Sequence, residues 1–158
     1  MIDGCEFIEI MGRYFDEGGN PRIAGRLFAF LLLSEEPRSL DELAEELQVS
    51  KASMSANARM LEVWGFAERI TRPGDRRDYY RMAPTAHQNV LTREIGRLQQ
   101  LNERLGRAQA TGTHSPVVGA RLERMIKNNT KAVNALHQLL AEGDEYDPAA
   151  DAAPAHEG

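Results

Sequence analysis

The chain has one cysteine, Cys5, in 158 residues. A lone thiol excludes an intrachain disulfide and an all-cysteine zinc site. Long apolar runs are missing too. The longest, Leu27 to Leu33, is seven residues, against the ~18 that span a bilayer. The N-terminus has no basic segment leading into an apolar stretch, so no signal peptide is expected. These features predict a cytoplasmic protein without a membrane segment. The four histidines, His87, His114, His137 and His156, show no metal-ligand spacing and have no accompanying repeat of Cys or acid. There is no phosphate-cradling glycine loop, no Ser/His/Asp arrangement and no paired-carboxylate constellation. The sequence therefore predicts no metal, no cofactor and no enzyme.

Apolar residues make up 42% and charged residues 27%, a globular profile. The net charge of −5 is unevenly spread. Residues 142–158 hold six acids and no Lys or Arg, so the remainder has 19 bases against 18 acids. Segment 35–49 has six acids and one base, and segment 50–81 has seven bases and four acids. A basic stretch inside an acidic chain is a footprint for a polyanion, although a solvated surface gives the same count.

Periodicity orders the chain. Phe7, Ile8, Met11, Tyr14 and Phe15 predict a helix over 4–17 that stops at Gly18-Gly19. Asn20 as N-cap and Pro21 at the first position open a second helix, to about Ser34. Its apolar residues nearly surround the axis, which predicts a central helix. Ser39-x-x-Glu42 is a capping box before a two-turn helix. Gln48-Val49 turns, Ser50 caps a helix over 51–64, and Gly65 ends it. Two short helices around a tight turn are a helix-turn-helix. Residues 66–72 and 78–82 then alternate with period two around Pro73-Gly74-Asp75-Arg76, predicting a basic hairpin, or wing. Two long helices follow, over about 85–109 and 116–142, with Asn102 and Asn129 inside their apolar stripes. The expected fold is mostly α with a small β-hairpin wing: a winged helix-turn-helix plus long dimerisation helices.

On a helical wheel, Met54, Ala58 and Leu61 face the body. The opposite side carries Ala52, Ser55, Ala56, Arg59 and Val63, with Lys51 at one edge and no acid before Glu62. Small residues let a helix backbone approach base edges in a major groove, and hydroxyls and Lys bind phosphate. At the hairpin tip, Arg76 and Arg77 suit a minor groove or phosphates. The bland alternative is an Arg77–Asp78 surface network.

Residues 39–55, from Ser39-Leu40-Asp41-Glu42 to Met54-Ser55, resemble the winged-helix block of MarR-type regulators. Pro21-Arg22-Ile23-Ala24-Gly25-Arg26, Trp64-Gly65-Phe66 and Pro73-Gly74-Asp75-Arg76-Arg77-Asp78-Tyr79-Tyr80 resemble its GbsR branch. The resemblance covers about 20–83. It implies a dimeric transcription regulator, usually a repressor. It carries the DNA-reading role to Lys51, Ser53, Ser55, Asn57 and Arg59, and the wing role to Arg72, Arg76 and Arg77. Some relatives bind a quaternary ammonium compound through aromatic rings. That makes Tyr14, Phe15, Trp64 and Phe66 candidate effector-pocket residues, against a core role for the same rings. Cys5, flanked by acids, reads as incidental rather than redox-active.

Apolar residues left over in the terminal helices predict a twofold mate: Phe7 and Met11, then Leu91, Ile95, Leu98 and Leu105, then Leu122, Ile126 and Leu136. The expected organisation is an N-terminal dimerisation helix over 1–19, a DNA-binding winged helix over 20–83, long dimerisation helices over 84–142 and a disordered acidic tail over 143–158. The expected partners are double-stranded DNA, a second copy and a small-molecule effector. The alternative is a winged helix that binds protein instead of DNA.

Overall fold

The computed structural model describes residues 3–142, so the tail expected to be disordered lies outside the described residues. Two compact units are formed, one reaching His87 and one beginning at Gln88. Six helices and a three-stranded antiparallel sheet make up the described residues, so the chain is mostly helical.

The first unit opens with α1 (Gly4–Glu17) and α2 (Arg22–Leu32). Their axes approach closely because Gly12 and Gly25 meet the facing helix. A Cβ on Gly25 would fall on the Met11 carbonyl oxygen and the Phe15 side chain, and one on Gly12 would overlap the Arg26 stem. Glu9 of α1 pairs with Arg22 and Arg26 of α2, each at 2.7 Å. The Arg22 bond, ahead of the other causes, holds the Glu9 carboxyl below its usual range. Arg26 also donates to the Leu47 carbonyl at 3.0 Å, tying the pair to the next helix. The start of α2 differs by one residue from the sequence expectation. Pro21 takes the N-cap position, without a side-chain cap. Asn20 instead closes α1: its backbone N–H reaches the Phe15 carbonyl at 2.9 Å, and its amide donates to the Gly18 carbonyl.

The helix-turn-helix is α3 (Leu40–Glu46) and α4 (Lys51–Val63). Both caps form as the sequence dictates. The Ser39 hydroxyl accepts from the Glu42 N–H, and the Glu42 carboxylate accepts from the Ser39 N–H at 2.7 Å. Ser50 caps the Ser53 N–H at 3.2 Å. Between the helices the Val49 N–H reaches back to the Ala44 carbonyl and the Gln48 N–H to Glu45, a Schellman closure. The residue in left-handed backbone there is Gln48, at φ 53°. Gly65, at φ 72°, closes α4 in the same way, with the Phe66 N–H on the Leu61 carbonyl.

The hairpin is β2 (Ala67–Thr71) paired with β3 (Asp78–Met82). The structure makes Arg38–Ser39 a short strand, β1, on the other edge of β3, with Ser39 opposite Tyr79. Two residues are too few to show a period, so no pattern announces it. Leu27, Leu31, Leu43, Met54, Leu61 and Tyr80 are almost wholly buried at the centre. Each aliphatic side chain there contributes about 1.5–3 kcal/mol through burial.

From Gln88, the second unit consists of α5 (Ala86–Ala110) and α6 (Pro116–Ala141). Ser115 caps α6 and Pro116 takes its first position. Asn129 donates to Asn102 at 3.0 Å, and Asn102 to Thr130 at 3.3 Å, holding the two helices side by side. Only Ile95 and Val133 are buried among the described residues of this unit, while Leu101, Val117, Met125 and Leu139 are exposed. No helix among the described residues is long and apolar enough to cross a membrane.

Candidate nucleic-acid interface

Helix α4 divides as its sequence demands. Met54, Ala58 and Leu61 anchor it in the core. Ala52, Ala56, Arg59 and Val63 are exposed on the other side, and Ser53 and Ser55 are half-buried. The first two turns present small side chains, hydroxyls and no carboxylate, as a helix entering a groove requires. Lys51 sits at the exposed N-terminus, 2.8 Å from Asp41. Such an exposed pair is weak, so the ammonium can exchange the carboxylate for a phosphate.

Asn57 does not belong to this face. It is 7% exposed, and its amide donates to the Ser53 carbonyl one turn earlier at 2.8 Å. The wheel places Asn57 on the flank, and the body covers that flank. The Ser53 carbonyl is thereby occupied, while its hydroxyl makes no hydrogen bond within the described residues.

The wing is built around Tyr79. Its ring, 4% exposed, carries the Arg72 guanidinium 4.0 Å above its centroid, and Arg77 lies at 5.4 Å. The Tyr79 hydroxyl donates to Asp75 at 2.8 Å. Asp75 also receives the Arg77 guanidinium through both oxygens, at 2.6 to 3.1 Å, and the Arg77 N–H at 3.0 Å. These bonds, the Arg77 fork first, hold the Asp75 carboxyl far below the usual range. Asp75 in turn raises the Arg77 and Tyr79 values. The partner of Arg77 is therefore Asp75, not Asp78.

This pairing reshapes the basic stretch. Arg69 faces Glu62 and Asp78, both at 3.7 Å, and Arg81 meets Glu68 at 2.9 Å. With Lys51 and Arg77 also paired, four of the seven bases have a carboxylate partner. Arg59, Arg72 and Arg76 have no ion pair among the described residues and remain exposed. A count of charges along the chain cannot separate these groups, because the pairs form across strands and turns.

The aromatic residues proposed for an effector pocket mostly form core. Phe15 and Phe66 are 8% and 4% exposed. Phe15 contacts Phe28 and Trp64, and Phe66 contacts Phe28 and Trp64, at centroid distances of 5.6 to 6.4 Å. Phe66 meets Phe28 and Trp64 edge to face and Phe15 meets them at a tilt, so these rings stabilise the unit by packing on one another. Tyr14, 66% exposed, touches Phe15 from outside. Of the residues expected at a dimer contact, Met11 packs against the first unit's core and Phe7 is half-buried. Ile95 is buried, while Leu91, Leu98, Leu105, Leu122, Ile126 and Leu136 are half-buried. Cys5 is exposed. No group of three metal-ligating side chains occurs among the described residues.

Comparison with known proteins agrees with this architecture. The chain is 40% identical over 127 residues to the HTH-type transcriptional regulator MmpR5 of Mycobacterium tuberculosis, covering 78% of this chain and 76% of that protein. It is 29% identical over 86 residues to the putative HTH-type transcriptional regulator YvaV of Bacillus subtilis, covering 54% of this chain and 49% of the other. A crystal structure described as a transcriptional regulator superposes with a TM-score of 0.71 at 36% identity, over 89% of this chain and 97% of that one. The sequence profile of the MarR family matches residues 19–78, from just before α2 to the start of β3. The chain belongs to the MarR family.

Proposed function

We propose that this chain, a DNA-binding transcriptional regulator of the MarR family, works in the cytoplasm as a homodimeric repressor of the GbsR-like branch. Helix α4 reads the major groove through Lys51, Ser53, Ser55 and Arg59, and the wing contacts the flanking backbone or minor groove through Arg72 and Arg76. Arg77 serves as the wing's internal brace. A small-molecule effector releases the DNA, as the resemblance to the GbsR branch implies. The observation that carries the DNA assignment is the acid-free exposed face of α4 beside a wing whose Arg76 has no carboxylate partner among the described residues.

Two recognition helices in a twofold dimer read half-sites about one helical turn apart. The uncovered apolar side chains of α5 and α6 supply material for such a dimer. Fluorescence anisotropy with a duplex from the promoter beside its own gene tests the reading. Binding should fall steeply as salt rises, because phosphate contacts release counterions. Affinity that is the same at low and moderate salt would contradict it and favour a protein-binding winged helix.

A further inference from the structure

A second basic feature lies at the base of the wing. An open groove of about 540 Å³ runs between β1, the first turn of α3 and the hairpin, lined by Arg38, Arg72, Arg77, Tyr79, Glu36 and Glu42. Its charges are not equivalent. Arg77 is held by Asp75. The Glu42 carboxylate accepts the Ser39 N–H and hydroxyl, both at 2.7 Å. Glu36 is exposed at the edge. That leaves two guanidinium groups with donors to give. Arg72 stacks on the Tyr79 ring, and stacking occupies the face of the guanidinium while leaving its in-plane N–H donors open. Arg38 makes no ion pair among the described residues, and its Nε is shut off from solvent without a hydrogen-bond acceptor.

While it is shielded, that Nε–H is out of an anion's reach, so the terminal N–H groups of the Arg38 guanidinium are the donors an anion entering the groove would meet. Two guanidinium groups lining one open groove offer several N–H donors to the several oxygens of a phosphate. We propose that Arg38 and Arg72 together seat one phosphodiester of the DNA backbone. This rests on the DNA-binding reading above and adds Arg38, on the short strand β1, to the contact set. An open groove between the first helix of the helix-turn-helix and the wing admits a polymer that continues at both ends. The two elements that should flank the DNA backbone are thereby bridged by one phosphate.

The test is the salt dependence of operator binding by the full chain and by Arg38→Gln, Arg72→Gln and the double variant. Each single variant should bind several-fold more weakly and lower the magnitude of the log–log salt slope by about 0.9, the contribution of one phosphate. The double variant should lose little more, since both side chains hold the same group. Arg38→Lys should retain the slope while losing part of the affinity, because it keeps the charge and loses the fork. It also serves if Arg38→Gln does not fold. Wild-type binding with a steep slope that Arg38→Gln leaves unchanged would overturn the seat and leave the DNA reading standing. Absence of any salt-dependent binding by the wild type would instead overturn the DNA reading. Inorganic phosphate distinguishes the other source: saturable thermal stabilisation by phosphate that Arg38→Gln abolishes, with the DNA slope unaltered, would assign the groove to a free anion and overturn the backbone seat.

Discussion

Asn129 donates its side-chain N–H to the Asn102 carbonyl oxygen across 3.0 Å, joining α6 to α5 within one chain. Asn102 passes the connection to the Thr130 hydroxyl, which donates to the Ile126 carbonyl at 2.8 Å. Two amides placed in apolar stripes favour the one helix alignment in which they meet. Asn129→Ala should lower the melting temperature. A cycle with Asn102→Ala should show coupling of about 1 kcal/mol, the usual net worth of one hydrogen bond. Additive losses in thermal or denaturant unfolding would mean that the amides act separately.

The turn of the helix-turn-helix carries a removable strain. Gln48 is exposed and sits at φ 53°, where Gly19 and Gly65 occupy the equivalent positions after α1 and α4. A side chain there crowds the backbone, and glycine avoids the clash at no contact loss. Gln48→Gly should stabilise the chain by about 0.5–1 kcal/mol after its added unfolded-state entropy. Equilibrium unfolding in urea checks it, and a loss of stability would show that the Gln48 stem packs usefully.

In the wing, Arg76 and Arg77 are neighbours with different work. Arg76→Ala should reduce DNA affinity for all sequences and flatten the salt slope by about one contact. Arg77→Lys keeps a charge but cannot form the fork on Asp75. It should loosen the turn and weaken binding while leaving most of the slope. Equal slopes lost in both variants would assign both side chains to phosphates.

Acid should loosen the same turn. The Asp75 carboxyl is held low by Arg77, so its ionised form is favoured in the fold. A depressed carboxyl contributes stability that is complete above the ordinary range near ~4 and is lost as pH falls toward the folded value. Asp75→Asn removes the ionisation. The melting-temperature difference between wild type and Asp75→Asn should therefore shrink as the pH is lowered below about 4. A constant difference would place the contribution elsewhere.

Much of the architecture was legible because it depends on local rules. Ser39, Glu42 and Ser50 announce their caps, and Gly65 announces a stop. Alternation over 66–72 and 78–82 announces the hairpin. What the sequence hides is tertiary. Asn57 lies on the wheel's flank, and only packing reveals that the flank is covered. Arg69, Arg77 and Arg81 count as basic along the chain, yet meet Asp75, Asp78, Glu62 and Glu68 across turns and strands. Phe15, Trp64 and Phe66 have the composition of a cation cage but stack as core. Arg38 stands in a two-residue strand without periodicity.

The exposed face of α4 gives a further test. Ser55 is half-buried on that face, one turn from exposed Ala52 and Arg59. Ser55→Glu places a carboxylate against DNA without removing a core contact. The variant should keep its helical circular dichroism and melting temperature within a few degrees, and lose operator binding. A folded Ser55→Glu protein with full affinity would exclude this helix from the groove.

The dimer can be challenged without disturbing the monomer. Leu98 is half-buried in the α5–α6 hairpin, so replacing it by Asp would damage the unit whether or not a partner exists. Met125 and Leu139 are 49% and 55% exposed, so polar side chains there cost the single chain less than one at Leu98. Exposed apolar groups along a long helix are stabilised when a twofold mate covers them. The wild type should sediment at micromolar concentration with about twice its chain mass of 17.6 kDa. Met125→Glu combined with Leu139→Glu should shift it to a single chain with unchanged helix content, because carboxylates facing their own copies across the axis repel and resist desolvation. A wild type that sediments as a single chain would eliminate the dimer, and a double variant that remains dimeric would move the interface off this face of α6.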